Sequence, residues 1–599
     1  MNKKFLFCFF IALCAFSLLI GQQEKAEEKE DPFKNFSIVN EIQPVPEKVR
    51  VGFESITRKD ATAYLTFISS DLLEGRDTAS EGYEIAAQYA ASMFKLWGIK
   101  PAGDAVRSRM RMGRMPPPQK PATRPTRSYF QNIAFKETLG RESSAEVTWK
   151  KGQMMKTKSF QANMDYSYSA SESQTITAPV VFVGYGIQES SLKFDEYKNI
   201  DVKGKFVMML SESPGKNDPE SPFNKDDLKE KYYPQRRMRR GGGESFSKYN
   251  IARDLGAEAI LLIENSPREN SDVARNALNA QRINDERTIY PVGRRRMSLE
   301  DNVRRTTSQR SIPTIRISRS MTNAILEMAG QDIDTLKGKI EKTLQSQSQA
   351  LEGMTFTIKS KVETKLVNSM NVLGYIEGSD PELKNEAIVI GGHLDHLGRR
   401  GDYIFNGADD DGSGSVGVME IAEAFAKNPV KPKRSIVFAL WTGEEKGLLG
   451  STYYVAYPFI SKTYANLNLD MISRTYDKES LAARVMRRDK EAGKIVMEKI
   501  DENKYVNLSF DANTPAIGEI IRANNNHVGL HISISASETA SGGSDHAPFA
   551  RVKIPWAFFI AAMTEDYHQP SDTVDKINED LMEKIIRLTY LAAFDLADK

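Results

Sequence analysis

The sequence predicts an α/β fold, a mixed and largely parallel sheet flanked by helices, and three observations carry that prediction. From Asn371 onward, short runs of aliphatic and β-branched residues alternate with segments of helical spacing. The strands are expected at Val372 to Ile376, Ala387 to Gly391, Ser435 to Trp441, Ala465 to Leu469 and Trp556 to Ala561. The helices are expected at Val416 to Ala426, Gly447 to Ala456 and Asn578 to Leu596. Second, acidic and imidazole residues stand where these strands end. Third, the strand entering Ile390-Gly-Gly-His-Leu-Asp-His396 is followed by a glycine-rich acidic loop, Asn406-Gly-Ala-Asp-Asp-Asp-Gly-Ser-Gly414.

Before that point the chain has a different texture. Lys3-Lys4 precede an apolar run from Phe5 to Ile20, and Gln22 begins polar sequence. A basic start and an apolar stretch too short to span comfortably read as a secretory signal peptide over 1–21, with a retained N-terminal anchor as the alternative. Cys8 and Cys14 are the two cysteines of the chain, and both lie in this segment. The exported protein is therefore expected to have no disulfide and no thiolate ligand, which suits a bacterial periplasm or exterior. Residues 22–50 are charged and aperiodic and read as a linker. Over 51–144, Ala61, Tyr64, Leu65, Ile68 and Leu72 recur at helical spacing, and a second helix runs from Glu81 to Trp97.

The stretch 104–128 holds seven Lys/Arg, five Pro, three Met and one Asp, a composition that cannot bury a core. Arg-rich pieces recur at 236–243 and 282–310. Aromatic residues hardly interleave with them, and the net charge of the 599 residues is +2, so they read as solvated insertions and no nucleic-acid partner is expected. Residues 145–352 turn to β texture with short helices. Strands are expected at Val180 to Gly186, Lys205 to Leu210, Ala259 to Ile263 and Pro313 to Ile317, with a helix from Tyr249 to Leu255. None of these pieces carries His, Asp or Glu at ligand spacing, so the chemistry is assigned to 353–599.

In that last segment His393 closes one strand and the triple-Asp loop follows it. Glu444-Glu445 follow Trp441, Asp470 follows Leu469, and His568 comes after Ala561. Carboxyl ends of strands in an open α/β sheet meet at one crevice, so these residues can converge. Two imidazoles and three carboxylates without a thiolate suit zinc, and one shared carboxylate would hold two ions. Of Glu444 and Glu445, one carboxylate can ligate while the other takes a proton from water. Asp395, separated from His393 by one residue, can take the other N–H of His393 and fix its tautomer.

The motifs His393-Leu-Asp395, Ala408-Asp-Asp-Asp-Gly-Ser-Gly414, Trp441-Thr-Gly-Glu-Glu-Lys-Gly447, Asn468-Leu-Asp-Met471, Ser544-Asp-His546 and Tyr567-His568 together resemble the co-catalytic zinc exopeptidases. That family includes bacterial leucyl aminopeptidases, plasma glutamate carboxypeptidase and glutamate carboxypeptidase II. The resemblance implies two Zn2+ ions: His393 and Asp470 on one, Glu445 and His568 on the other, Asp410 bridging. It implies Glu444 as general base, Asp395 orienting His393, and Tyr567 aiding the oxyanion. Asp410 is chosen within the triple Asp by its place three residues before Ser413, which leaves Asp409 and Asp411 to hold the backbone. Leu73-Glu-Gly-Arg76 and Tyr129-Phe-Gln131 resemble the opening of the peptidase domain, and 145–352 resembles an inserted β-rich protease-associated domain.

The expected activity is aminopeptidase action on peptides, with carboxypeptidase or dipeptidase action as the alternative. Glutaminyl cyclase or a metal-free receptor of transferrin-receptor type are the remoter ones. His396 is expected at the rim, His527 and His531 at the surface or in structural roles, and His546 in contact either with substrate or with the residues that surround the metal ligands. The sequence carries no signal for side-chain preference or oligomeric state.

Overall fold

The computed structural model describes residues 35–39, 41–106, 126–168, 170–232, 248–263, 295–300, 312–488, 490–540 and 543–599. The expected signal segment and most of the three Arg-rich stretches lie outside the described residues. Among the described residues no helix is long and apolar enough to cross a membrane.

The expected alternation is present. Strand β1 (Phe36–Ile38) opens the described chain, followed by helices α1 (Arg58–Ile68) and α2 (Glu81–Leu96). Thr57 and Ser80 cap these helices by accepting the N–H of Asp60 and Tyr83. The α1 pattern stops short of its expected end. Leu72 falls in a 3-10 turn and is 79% exposed, because the chain leaves the helix at Ser69 and turns extended at Ser70 (φ −70°, ψ 145°).

Two long strands follow, β2 (Phe130–Lys151) and, after the middle region, β7 (Gln349–Ile376). They pair antiparallel from Phe130↔Val372 to Trp149↔Met354. Between them lie β3 (Gln174–Phe182), β4 (Phe206–Leu210), β5 (Ala259–Ile263) and β6 (Thr314–Ile317). β3 pairs antiparallel with β7, and β3, β4, β5 and β6 form a parallel ladder. Their inward faces form a core of their own, including Phe182, Phe206, Met208, Leu261, Ile317 and Phe356.

The site-bearing sheet comes next: β8 (Glu386–His393), α3 (Gly414–Lys427), β9 (Ser435–Trp441), α4 (Leu449–Ala456), β10 (Lys462–Leu469), β11 (Tyr505–Asp511), β12 (His531–Ser537), β13 (Trp556–Ile560) and α5 (Glu579–Asp598). β9, β8, β10 and β13 lie side by side in parallel. The end of β7 pairs antiparallel outside β9; on the other side come β11, antiparallel to β13, then β12 and β1. Every residue of β9, and all of β8 but Glu386, is buried, as expected of parallel strands covered on both faces. α3 lies beneath them with α5 across it, and Phe425 stacks on Phe594 at 6.1 Å. Each such buried aliphatic or aromatic side chain stabilises the fold by about 1.5–3 kcal/mol. The four parallel strands end together, and that edge carries the charged residues.

Candidate metal centre

β8 delivers His393 into the crevice, and close backbone packing sets its height. A Cβ on Gly392 would lie only 3.0 Å from the Gly414 carbonyl carbon and from Asp411 Oδ2, so a side chain there would push the start of α3 away. Asp411 ties three segments together, accepting the N–H groups of His393 at 2.9 Å, Gly414 at 2.8 Å and Met471 at 3.2 Å. Asp409 does the same on the other side, with Oδ1 taking the N–H and hydroxyl of Ser473 at 2.9 and 2.7 Å. Asp411 therefore spends both oxygens on protein, whereas Asp409 spends Oδ1 there and keeps a buried Oδ2 without a hydrogen bond.

Asp410, between them, faces the imidazoles. Its Oδ1 lies 3.2 Å from His393 Nε2, and its Oδ2 lies 3.0 Å from His568 Nε2 and 4.0 Å from His396 Nδ1. Asp470 Oδ1 and Glu444 Oε2 are 3.8 and 3.9 Å from His393 Nε2. Glu445 Oε1 is 3.4 Å from His568 Nε2 and 2.9 Å from His396 Nδ1. Donor atoms of His393, Asp410 and Asp470 thus converge within 4.8 Å of one another, as do those of His396, Asp410 and Glu445. The two groups share Asp410. All five residues expected as ligands are brought together, with Glu444 beside them.

Two expectations need correcting. Asp395 was expected to take the second N–H of His393 through its carboxylate; the acceptor is instead its main-chain carbonyl, 2.9 Å from Nδ1. The carboxylate serves elsewhere: Oδ1 accepts the Glu444 N–H at 3.1 Å and Oδ2 the Thr78 hydroxyl at 2.7 Å. The reason is geometric, because the chain turns directly after β8 and carries the side chain towards the Glu444 turn. His396, expected at the rim, is fully buried. His546 is buried as well, its ring stacked 4.4 Å from Phe558 and tilted 4.8 Å from Trp556. His531 is buried on β12 and accepts the Asp501 N–H at 2.8 Å, a structural role. Tyr567 lies with its ring on His568, centroids 3.8 Å apart, and His568 itself has a left-handed φ of 58°. A bulky residue in that region is strained backbone, of a kind that gathers at functional sites.

The electrostatics test whether these residues fit a cation. A carbonyl can only accept, so Nδ1 of His393 carries the hydrogen and a neutral ring would aim the Nε2 lone pair at Asp410, Asp470 and Glu444. Lone pairs facing carboxylates repel unless a proton or a metal ion lies between them. Burial disfavours charge on His393 and His568, but the surrounding carboxylates outweigh it, raising His393 well above its ordinary value and His568 to about 9. Burial and then the neighbouring Asp545, Glu445 and Asp470 push Glu444 well up, while burial lifts Asp545 to about 7. Burial and the Asp410 carboxylate also oppose charge on Glu445, yet the imidazoles of His396 and His568 hold it down to about 2. Asp410 Oδ2, Glu445 Oε1 and both His396 nitrogens are buried without a hydrogen bond. A donor set of buried N and O atoms, partly orphaned and rich in negative charge, fits divalent metal ions.

Side chains far away in sequence support the centre, and spacing alone did not mark them. Arg76, fully buried, donates to the carbonyls of Leu394, Ile68, Asn406 and Gly407 and so clamps the loops on both sides of the site. Its Leu-Glu-Gly-Arg motif was the available signal. Asp572 accepts the N–H groups of Asp409 and Asp410 at 3.1 Å, and Arg474 pairs with Asp566 while lying 3.6 Å from Asp572. The His568 loop is thereby fastened to the Asp410 loop.

Fold and site together define a mixed α/β protein whose strand ends gather two carboxylate–imidazole clusters about one shared aspartate. Residues 371–593 match the family model for Peptidase family M28, so over that segment the chain is similar to this family. It is 28% identical over 202 residues to Aminopeptidase YwaD of Bacillus subtilis, covering 32% of this chain and 38% of that protein. It is 34% identical over 162 residues to a probable leucine aminopeptidase 2 of Aspergillus oryzae, covering 26% and 30%. The chain thus spans between about a third and two fifths of the length of these curated relatives. Among solved structures, an aminopeptidase from Aneurinibacillus sp. strain AM-1 aligns over 92% of this chain and 96% of that one. It does so with TM-score 0.50 and 18% identity, a likeness of fold.

Proposed function

We propose that this chain is an exported zinc-dependent exopeptidase that removes N-terminal residues from peptides. The observation that carries the reading is Asp410, whose two oxygens face two separate donor clusters with Glu444 beside them. His393, Asp410 and Asp470 would hold one zinc; Asp410, Glu445 and His568 would hold the other. Zinc bound there supplies Lewis acidity, polarising a peptide carbonyl and acidifying water.

The chain's own groups do the rest. Glu444, whose carboxyl is raised by burial and by neighbouring acids, accepts a proton from water at Oε2 as the oxygen bonds to the peptide carbon. It returns that proton to the departing nitrogen as the C–N bond breaks. Asp395 holds the Glu444 backbone through the 3.1 Å hydrogen bond, and Thr78 holds Asp395. Burial and the surrounding carboxylates raise the Tyr567 phenol, so it stays protonated and can donate to the developing oxyanion.

An amine end of the substrate is favoured over a carboxylate end by charge. The basic side chains described around the site are already engaged: Arg76 by four carbonyls, Arg474 by Asp566, Lys446 by Asp77 at 2.7 Å. The aminopeptidases among the relatives agree with this reading. The test compares one peptide in free, N-acetylated and C-amidated forms. Amidation is expected to be tolerated and acetylation to abolish cleavage; the reverse pattern would turn the assignment to a carboxypeptidase. The apolar N-terminal segment supports export, which fractionation of the native host's periplasm and medium would check.

A further inference from the structure

We infer that His396 is a further ligand of the second cation position, alongside Asp410, Glu445 and His568, so that two imidazoles serve that position and one serves the other. This rests on the two-metal reading above. His396 is fully buried, yet neither ring nitrogen makes a hydrogen bond. Burying an unpaired polar nitrogen costs about 1–3 kcal/mol, so a ring placed this way calls for an explanation. Its Nδ1 sits 2.9 Å from Glu445 Oε1 without the alignment of a hydrogen bond, and 4.0 Å from Asp410 Oδ2. Two buried atoms that converge without bonding each other are arranged for a third.

The ring is also placed deliberately. The His396 N–H donates to the Arg76 carbonyl at 3.1 Å, while the Arg76 guanidinium grips Leu394 and Gly407 on either side. Gly407, at φ 56°, leaves the space the imidazole fills: a Cβ there would lie 2.6 Å from His396 Cγ and Cδ2. The His568 ring meets it edge-on, centroids 5.8 Å apart. His568 is one-third exposed and His396 not at all, so this position would have a closed side at His396 and an open side at His568.

The test is zinc binding by calorimetry and by metal content after dialysis, on the full protein and on His396→Ala and His396→Phe. Phe keeps a ring in the space but offers no donor. The inference expects two zinc ions in the wild type. It expects one ion at wild-type affinity in both variants, with the second weakened by about 100-fold or more, beyond what loss of a merely supporting contact produces. Zinc-edge anomalous diffraction should place an ion about 2.0–2.1 Å from His396 Nδ1. Two ions bound at wild-type affinity by His396→Phe, or an ion well outside bonding distance of Nδ1, would overturn it. His396 would then be an ion-pair partner of Glu445, and metal-free His396→Phe would melt lower with zinc binding intact. Failure of the two-metal reading looks different: the wild type would bind no zinc, or Asp410→Ala would bind as much as the wild type.

Discussion

The middle β region and the edge of the parallel sheet both bury charge, but they finish the task differently. In the middle region Glu196 is fully buried, and its oxygens accept the N–H groups of Tyr185 and Ile187 at 3.0 Å. Lys248 beside it donates to the carbonyls of Leu210 and Glu212. Burial lifts Glu196 to about 8 and lowers Lys248 to about 7, yet both have protein partners. At the sheet edge, Asp410 Oδ2, Glu445 Oε1 and the His396 nitrogens are just as buried and have none. A charge cluster built for stability closes its own hydrogen bonds; one built for a ligand keeps converging atoms open. The contrast separates the two clusters where burial alone does not.

The comparison breaks most decisively at Asp410. Asp410→Ala is expected to remove both zinc ions and to lower peptide hydrolysis by at least about a thousandfold, as read by metal analysis and turnover. Glu444→Gln is expected to keep both ions and lose about 10²–10⁴-fold in kcat; near-normal turnover would refute the base assignment. Asp572→Ala, which frees the N–H groups of Asp409 and Asp410, should weaken zinc by about 10–100-fold while the fold persists by circular dichroism. Glu196→Ala sharpens the contrast from the other side. It should cost about 1–3 kcal/mol in denaturant unfolding, through the N–H groups it strands, and leave zinc content unchanged.

The smallest expected effect concerns pH. With His568 raised to about 9 in the metal-free protein, zinc uptake at pH 7 displaces its proton, and that release fades as pH passes 9. The sign for stability follows from the same shift. A histidine raised from about 6.5 to about 9 adds stability that is whole below 6.5 and lost as pH climbs through 9. Calorimetry in buffers of different ionisation enthalpy measures the first, and melting of chelator-treated protein measures the second.

The sheet and the convergence of its strand ends were legible because parallel strands read as continuous apolar runs and their ends as polar breaks. His393, Asp410, Glu444, Glu445, Asp470 and His568 stand together for that reason. What the sequence hid depends on side-chain direction within loops, which no period reports. His396 turns inward because Arg76 and Gly407 receive it, and Asp395 turns to the Glu444 backbone while its carbonyl serves His393. The long strands were under-read for another reason. β7 was expected only from Val372, because its middle, Lys359-Ser-Lys-Val-Glu-Thr-Lys365, is a largely polar run along a half-solvated ribbon. Arg76 and Asp572 act on backbone groups far away in sequence and left no local pattern apart from the motif around Arg76.

The pairing of β2 with β7 has a topological consequence. Leu139 faces Glu363 and Gly140 faces Val362 across neighbouring rungs of one ladder. The chain leaves the site-bearing sheet and returns to it at adjacent points, and Arg295–Leu299 add a third strand to this stem beside residues 135–139, with Met297 clustered with Leu449. Loop-closure entropy grows only logarithmically with length, by about 0.6 kcal/mol per doubling. Closing so long an excursion therefore costs little more than closing a short one, and the strand ends that carry His393 and His568 lie outside it.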